Sequence, residues 1–207
     1  MNSPFPFVAP QRLLRRRAIL GAAVGVALLV TVASAVAAIE DPVERLHEAL
    51  LEGGATFDER FDRLLPVVEA SFDFATMSRA AVGAAWTEFG PATREAVETA
   101  FARYSAASYA RNFADPAGLA FTVEAVRPAD DGRSWVDARL DRPGGEPVRF
   151  EYLVHDVGDG PHIINVIVGG GLNELARRRS EFRSLLDAGG SDGLLEALGE
   201  RTEALRP

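Results

Sequence analysis

The chain reads as an α+β fold, with helices first, an antiparallel sheet second and helices last. Three observations predict it. Between residues 43 and 112 apolar side chains recur every three or four positions, the period of a helix. Between 121 and 168 the period falls to two, in four segments joined by short turns. Beyond Gly169-Gly170-Gly171 the helical period returns.

Asp41-Pro42 predicts the first helix start, a proline at the first helical position behind an Asp cap. Val43, Leu46, Leu50 and Leu51 share one face, and Gly53-Gly54 ends the helix. Thr56-Phe57-Asp58-Glu59 opens a second helix carrying Phe57, Phe61, Leu64, Leu65 and Val68, in which Pro66 predicts a kink or a break. A third runs over 73–89, with Phe74, Met77, Ala81 and Ala85 in register, closed by Gly90-Pro91. A long helix over 93–112 carries Val97, Phe101, Tyr104, Ser108 and Tyr109, and Asp115-Pro116 marks its end.

The strand segments follow. Phe121, Val123 and Ala125 form one apolar row, and Val136, Ala138 and Leu140 another. Val148, Phe150, Tyr152 and Val154 form the third, and Ile164, Val166 and Val168 the fourth. Asp130-Asp131-Gly132, Pro143-Gly144-Gly145 and Gly158-Asp159-Gly160-Pro161 are the turns of an antiparallel meander. One face is mostly apolar, as it is when helices cover one side. Helices over 172–186 and 194–205 close the chain, broken at Gly189-Gly190-Ser191-Asp192.

Residues 1–38 differ from the rest. They hold Arg12, Arg15, Arg16 and Arg17 and no acidic residue, then an uncharged apolar stretch and the small-residue runs Ala33-Ser34-Ala35 and Ala35-Val36-Ala37. This is the pattern of a secretory signal peptide cleaved after Ala37 or Ala38. An uncleaved anchor also fits, because the stretch is long enough to span a bilayer and its arginines would hold the N-terminus inside. Arg16-Arg17-Ala18-Ile19-Leu20 resembles a twin-arginine export signal. Either route predicts one domain, residues 39–207, in a periplasm-like space.

The whole chain carries 22 − 30 = −8 charges, and without the four leader arginines 18 − 30 = −12. So acidic a domain is a poor general binder of nucleic acid. It has little electrostatic reason to hold anionic head groups. With no cysteine it has neither a disulfide frame nor thiol chemistry.

Catalytic motifs are missing. His47-Glu48 resembles half of a zinc-protease motif, but position 51 is Leu, and His47 reads as a surface helix residue. His155-Asp156 reads as a general-base pair or as a polar strand end. No Gly-x-Ser-x-Gly elbow or Walker loop occurs, and no carboxylates have metal-ligand spacing. Gly169-Gly170-Gly171 offers amides to an anion or lets the chain turn. Arg177, Arg178 and Arg179 are either a solvated helix surface or a docking patch for an acidic partner or a lipid phosphate. Trp86, Phe101, Tyr104, Tyr109, Phe121, Phe150 and Tyr152 suit a filled core and a lipid-lined hollow equally.

A set of short pieces recurs in a fixed order: Phe72-Asp73-Phe74, Gly83-Ala84-Ala85-Trp86 and Tyr109-Ala110. After the strands come Arg179-Ser180-Glu181-Phe182 and Gly189-Gly190-Ser191-Asp192-Gly193-Leu194-Leu195. In that order the chain resembles the MlaC/toluene-tolerance family of periplasmic lipid-binding proteins over about residues 44–198. Asn165, where phospholipid carriers often have Asp, directs the resemblance to the hopanoid-associated HpnM-like branch. Two departures, Gly170-Gly171-Leu172 for a Gly-Val-Ser turn and His162 near an expected Trp, fall on the pocket floor.

The resemblance implies a curved sheet of four to five strands, an NTF2-like cone backed by helices around an apolar cavity. It implies a monomeric shuttle of phospholipid or hopanoid between membranes, working with a membrane-associated transport complex. Neither cofactor nor metal is needed, since the lipid is cargo. The implied lining is Val82, Trp86, Phe101, Tyr104, Tyr109, Phe121, Val123, Phe150, Tyr152, Ile164 and Val166. A non-catalytic adaptor, or a small-molecule enzyme using His155 and Asp156, are the other readings of the same residues.

Overall fold

In the computed structural model the described residues are 38–207 apart from 157 and 159. The leader expected over 1–38 lies outside them but for its last residue. Helix α1 is described over 38–51, so Asp41 and Pro42 lie inside it rather than at its start. Then come α2 (Phe57–Ser71), α3 (Phe74–Val82), a 3-10 turn (Gly83–Glu88) and α4 (Pro91–Asn112). A five-stranded antiparallel sheet follows in the order β1 (Ala120–Pro128), β2 (Ser134–Asp141), β3 (Val148–Asp156), β4 (Pro161–Val168) and β5 (Leu172–Asn173). Helix α5 (Glu174–Ala204) ends the chain. The α+β expectation holds, with β5 the strand that the alternation alone did not reveal.

Local chemistry explains the boundaries. Helix α2 starts in a capping box: the Glu59 N–H donates to Thr56 Oγ1 at 3.2 Å, and the Thr56 N–H donates to Glu59 Oε2 at 3.0 Å. Thr56→Ala should cost about 1 kcal/mol in urea unfolding, within the usual 0.5–2, and Thr56→Ser should restore most of it. Pro66 does not end α2, which runs on to Ser71. The expected helix over 73–89 is split, because Gly83 takes φ 72°, outside the helical region and open to glycine at little cost. The two expected closing helices are the halves of α5, which breaks at Gly190 with φ 62° and ψ −155°.

Two bulges reset the faces of the sheet. In β1 the pairing slips between Val123 and Ala125. Ala125 therefore joins the outer face opposite Asp137, and Val126 takes the inner place opposite Val136. In β4 the slip brings Ile163, fully buried, opposite Val154, leaving Ile164 as the extra residue. The outer face is an ion-pair lattice: Arg127 holds Asp137 and Glu151, and Arg139 holds Glu124 and Asp141. Helices α2, α3 and α5 reach the sheet at β4, and the Asp73 N–H donates to the Ile163 carbonyl at 3.0 Å. Buried Arg60 ties α2 to the end of α4, its Nε donating to the Ala110 carbonyl at 2.9 Å. Among the described residues no helix is long and apolar enough to cross a membrane.

Candidate functional site

The inner face of the sheet carries a set of aromatic rings in contact. Tyr152 on β3 stacks with Phe150 at 5.9 Å, and Phe150 meets Phe121 of β1 edge-on at 5.8 Å. Phe121 leads to Phe113 at 5.9 Å, Phe113 to Tyr109 at 6.4 Å, and Tyr109 to Phe72 at 6.3 Å. From Phe72 the contacts continue through Phe74 and Phe101 to Phe182 of α5. Phe121, Phe150, Phe113 and Tyr109 are only half-buried, whereas Phe101, Tyr152 and Phe182 are closed off from solvent.

One polar group lies in this apolar field. His47 of α1 lies flat on Phe121, with centroids 3.8 Å apart and planes 5° apart. Its Nε2 is 2.9 Å from the Tyr152 hydroxyl. The histidine is 5% exposed, so the expectation of a surface residue is wrong. Position 47 follows Val43 by four and precedes Leu50 by three, the spacing of the buried stripe, and that signal was legible. Burial lowers the imidazole pKa to about 3, so the ring is neutral near pH 7. Burial also raises the phenols of Tyr152 and Tyr109, and Glu174 adds to the rise at Tyr109.

The expected lining residues divide. Tyr109, Phe121, Phe150 and Tyr152 are brought together, and Val123 and Val166 share the inner face with them. Val82 and Ile164 are buried in the same core. Phe101 is joined only through Phe74 and lies among the helices. Trp86 packs on Phe89 at 5.9 Å, with Arg94 over its ring, so its ring partners lie at the α3–α4 turn. Tyr104 lies under the Arg178 guanidinium at 4.4 Å. Beyond His47, sequence reasoning missed Phe72 and Phe113 as members of the ring set.

These rings pack against one another between the sheet and the helices, as apolar surface does when only water would replace it. Three surface hollows hold about 340, 220 and 440 Å³, and none is lined by an expected lining residue. The first, over Phe72 and Phe74, is rimmed by Glu69, Asp73, Glu98 and His162. Burial and then Asp73 raise the pKa of Glu98 there.

The arginine run is not a free patch. Arg178 is 6% exposed and pairs with Glu181 at 2.9 Å, and Arg177 pairs with Glu174 at 2.6 Å and Glu181 at 2.9 Å. Of the three, Arg179 alone is exposed. Strand alternation places His155 on the outer face, away from Tyr152 and Val154. Asp156 is exposed and accepts the Gly158 N–H at 2.8 Å, a turn-closing role. Among the described residues no cluster of three or more His, Cys, Asp or Glu is placed to hold a metal. Asn165 Oδ1 accepts the Val166 and Leu175 N–H groups, which an Asp carboxylate would accept equally, so its role is to join β4 to α5.

The family described as MlaC protein matches residues 37–200. The fold is similar to that of a phospholipid-binding protein from Ralstonia solanacearum solved in complex with a phospholipid. The two are 21% identical with a TM-score of 0.70, over 82% of this chain and 97% of that one. Comparison with curated proteins finds no match.

Proposed function

The chain belongs to the MlaC family, and from that premise we propose that it is a periplasmic lipid carrier, a binding protein rather than an enzyme. The apolar part of one lipid enters between the inner face of the sheet and the helices. The protein, acting as a monomer without cofactor or metal, ferries it between the inner and outer membranes and exchanges it with a membrane-associated complex. The cargo is a phospholipid or, as the HpnM-like resemblance suggests, a hopanoid. The observation that carries this reading is the half-buried ring set Phe121, Phe150, Phe113 and Tyr109, on a fold shared with a phospholipid complex. They meet one another and the rings of Phe72, His47 and Tyr152 through side chains alone, so parting them exposes a mostly apolar surface without breaking a backbone hydrogen bond. Each CH₂ taken from water contributes about 0.8 kcal/mol, enough for one acyl chain to offset the parting of several rings.

The test is to express the chain with its leader, purify the exported form, extract it with organic solvent and identify bound lipid by mass spectrometry. Stoichiometric phospholipid or hopanoid is expected, and Phe150→Asp should abolish it while leaving the circular dichroism spectrum unchanged. A lipid-free, monodisperse wild type would favour the adaptor reading. Unchanged lipid in a folded Phe150→Asp variant would remove the sheet face from the site.

A further inference from the structure

We propose that His47 and Tyr152 form a hydrogen-bonding site inside the lipid pocket that selects lipids carrying a hydroxyl group within their apolar body. The inference rests on the carrier reading above and names the chemistry its cargo must offer. Both residues are buried, at 5% and 2% exposure, and each meets the other at 2.9 Å. Around them are rings: Phe121 flat against His47 at 3.8 Å and Phe150 stacked on Tyr152 at 5.9 Å. Binding pockets are mostly apolar with a few placed polar groups, and those few set orientation and specificity.

The pair suits an alcohol. A neutral imidazole has one donor and one acceptor nitrogen, and a phenol both donates and accepts. The ring stays neutral down to about pH 3, so that complement is present under ordinary conditions. The two satisfy each other with one hydrogen bond. A hydroxyl inserted between them accepts from one and donates to the other, giving two bonds for one. An ester carbonyl only accepts, so both groups hold it only in the tautomer with the proton on Nε2, whereas an alcohol is held in either tautomer. An acyl chain offers nothing and gains by leaving the pair closed. Half-buried Phe121 and Phe150 flank the pair, so a ligand that parts them meets it directly.

A hydroxyl could belong to a polycyclic lipid or to the head-group end of a glycerolipid, and the probes separate these. The full-length exported protein would be incubated with dioleoylphosphatidylcholine vesicles holding diplopterol, its dehydrated hydrocarbon diploptene, or dioleoylglycerol. Bound lipid would then be quantified by mass spectrometry. The wild type should take diplopterol over diploptene by about tenfold, the scale of one net hydrogen bond. Tyr152→Phe and His47→Leu should each bring that ratio near one. A matching preference for dioleoylglycerol would assign the site to the glycerol end.

Equal uptake of alcohol and hydrocarbon by a lipid-loaded wild type would overturn the inference and leave the carrier reading intact. So would a preference that survives both substitutions. A variant that melts like wild type yet loses phosphatidylcholine as well would make the pair general lining. A wild type that takes up no lipid would overturn the carrier reading, and this inference with it.

Discussion

Phe182→Ala is expected to lower the unfolding free energy by about 3–5 kcal/mol, the range for removing a fully buried phenylalanine. Phe182 has no exposed surface and meets Phe101 edge-on at 5.2 Å. That contact joins α5 to α4, and Phe101 passes it on to Phe74 of α3 at 5.4 Å. The cavity left by alanine would lie where three helices meet, with little freedom to collapse. Urea unfolding followed by circular dichroism measures the loss. The melting temperature should fall by about 6–20 °C for a domain of this size. Leu172→Ala, at a half-exposed position, is the control and should change stability by less than about 0.5 kcal/mol. A Phe182→Ala variant no weaker than that control would mean the α4–α5 contact does not hold the fold.

Stability should also fall as pH drops from about 6.5 towards 3, and His47 should account for much of the fall. Burial lowers its pKa to about 3 in the folded chain, whereas the unfolded chain keeps the ordinary value near 6.5. Above about 6.5 both states are neutral at this residue and it imposes no pH dependence. Below that value the unfolded chain gains a proton that the folded chain refuses, and folding weakens by up to about 1.4 kcal/mol per unit. The loss ends near pH 3, where the folded imidazole also protonates. His47→Gln removes the titrating group. The difference between wild type and variant should therefore shrink steadily from pH 6.5 to 5, a window in which most carboxylates stay ionised. Parallel stability curves for the two proteins would show that His47 is not held neutral by burial.

Much of the fold was legible because it follows from short-range regularities. Apolar period separated the helices from the strands, and Thr56 with Glu59 marked a helix start that the capping box bears out. The family resemblance lay in spaced pieces such as Phe72-Asp73-Phe74 and Gly83-Ala84-Ala85-Trp86, and the chain does belong to that family. Strand faces were harder to read. One inserted residue near Glu124 and another at Ile164 reversed the alternation beyond them, and a bulge leaves no mark in a two-residue period.

The candidate site was less legible, and particular residues show why. Trp86, Phe121 and Phe150 have the same aromatic character, yet Trp86 packs at the α3–α4 turn and the other two meet on the sheet. Arg178 stood in a run of three cations, but its guanidinium lies over Tyr104 beside Glu181. His47 looked like a surface residue until β1 and β3 supplied Phe121 and the Tyr152 hydroxyl, 105 positions away. Composition and periodicity by themselves determined the class, the order of elements and most of the buried stripe, because burying apolar surface needs only a matching period. Which side chains meet, and which polar atoms end up inside, was decided by tertiary structure alone, because hydrogen bonds and ring contacts depend on distances between residues far apart in the chain.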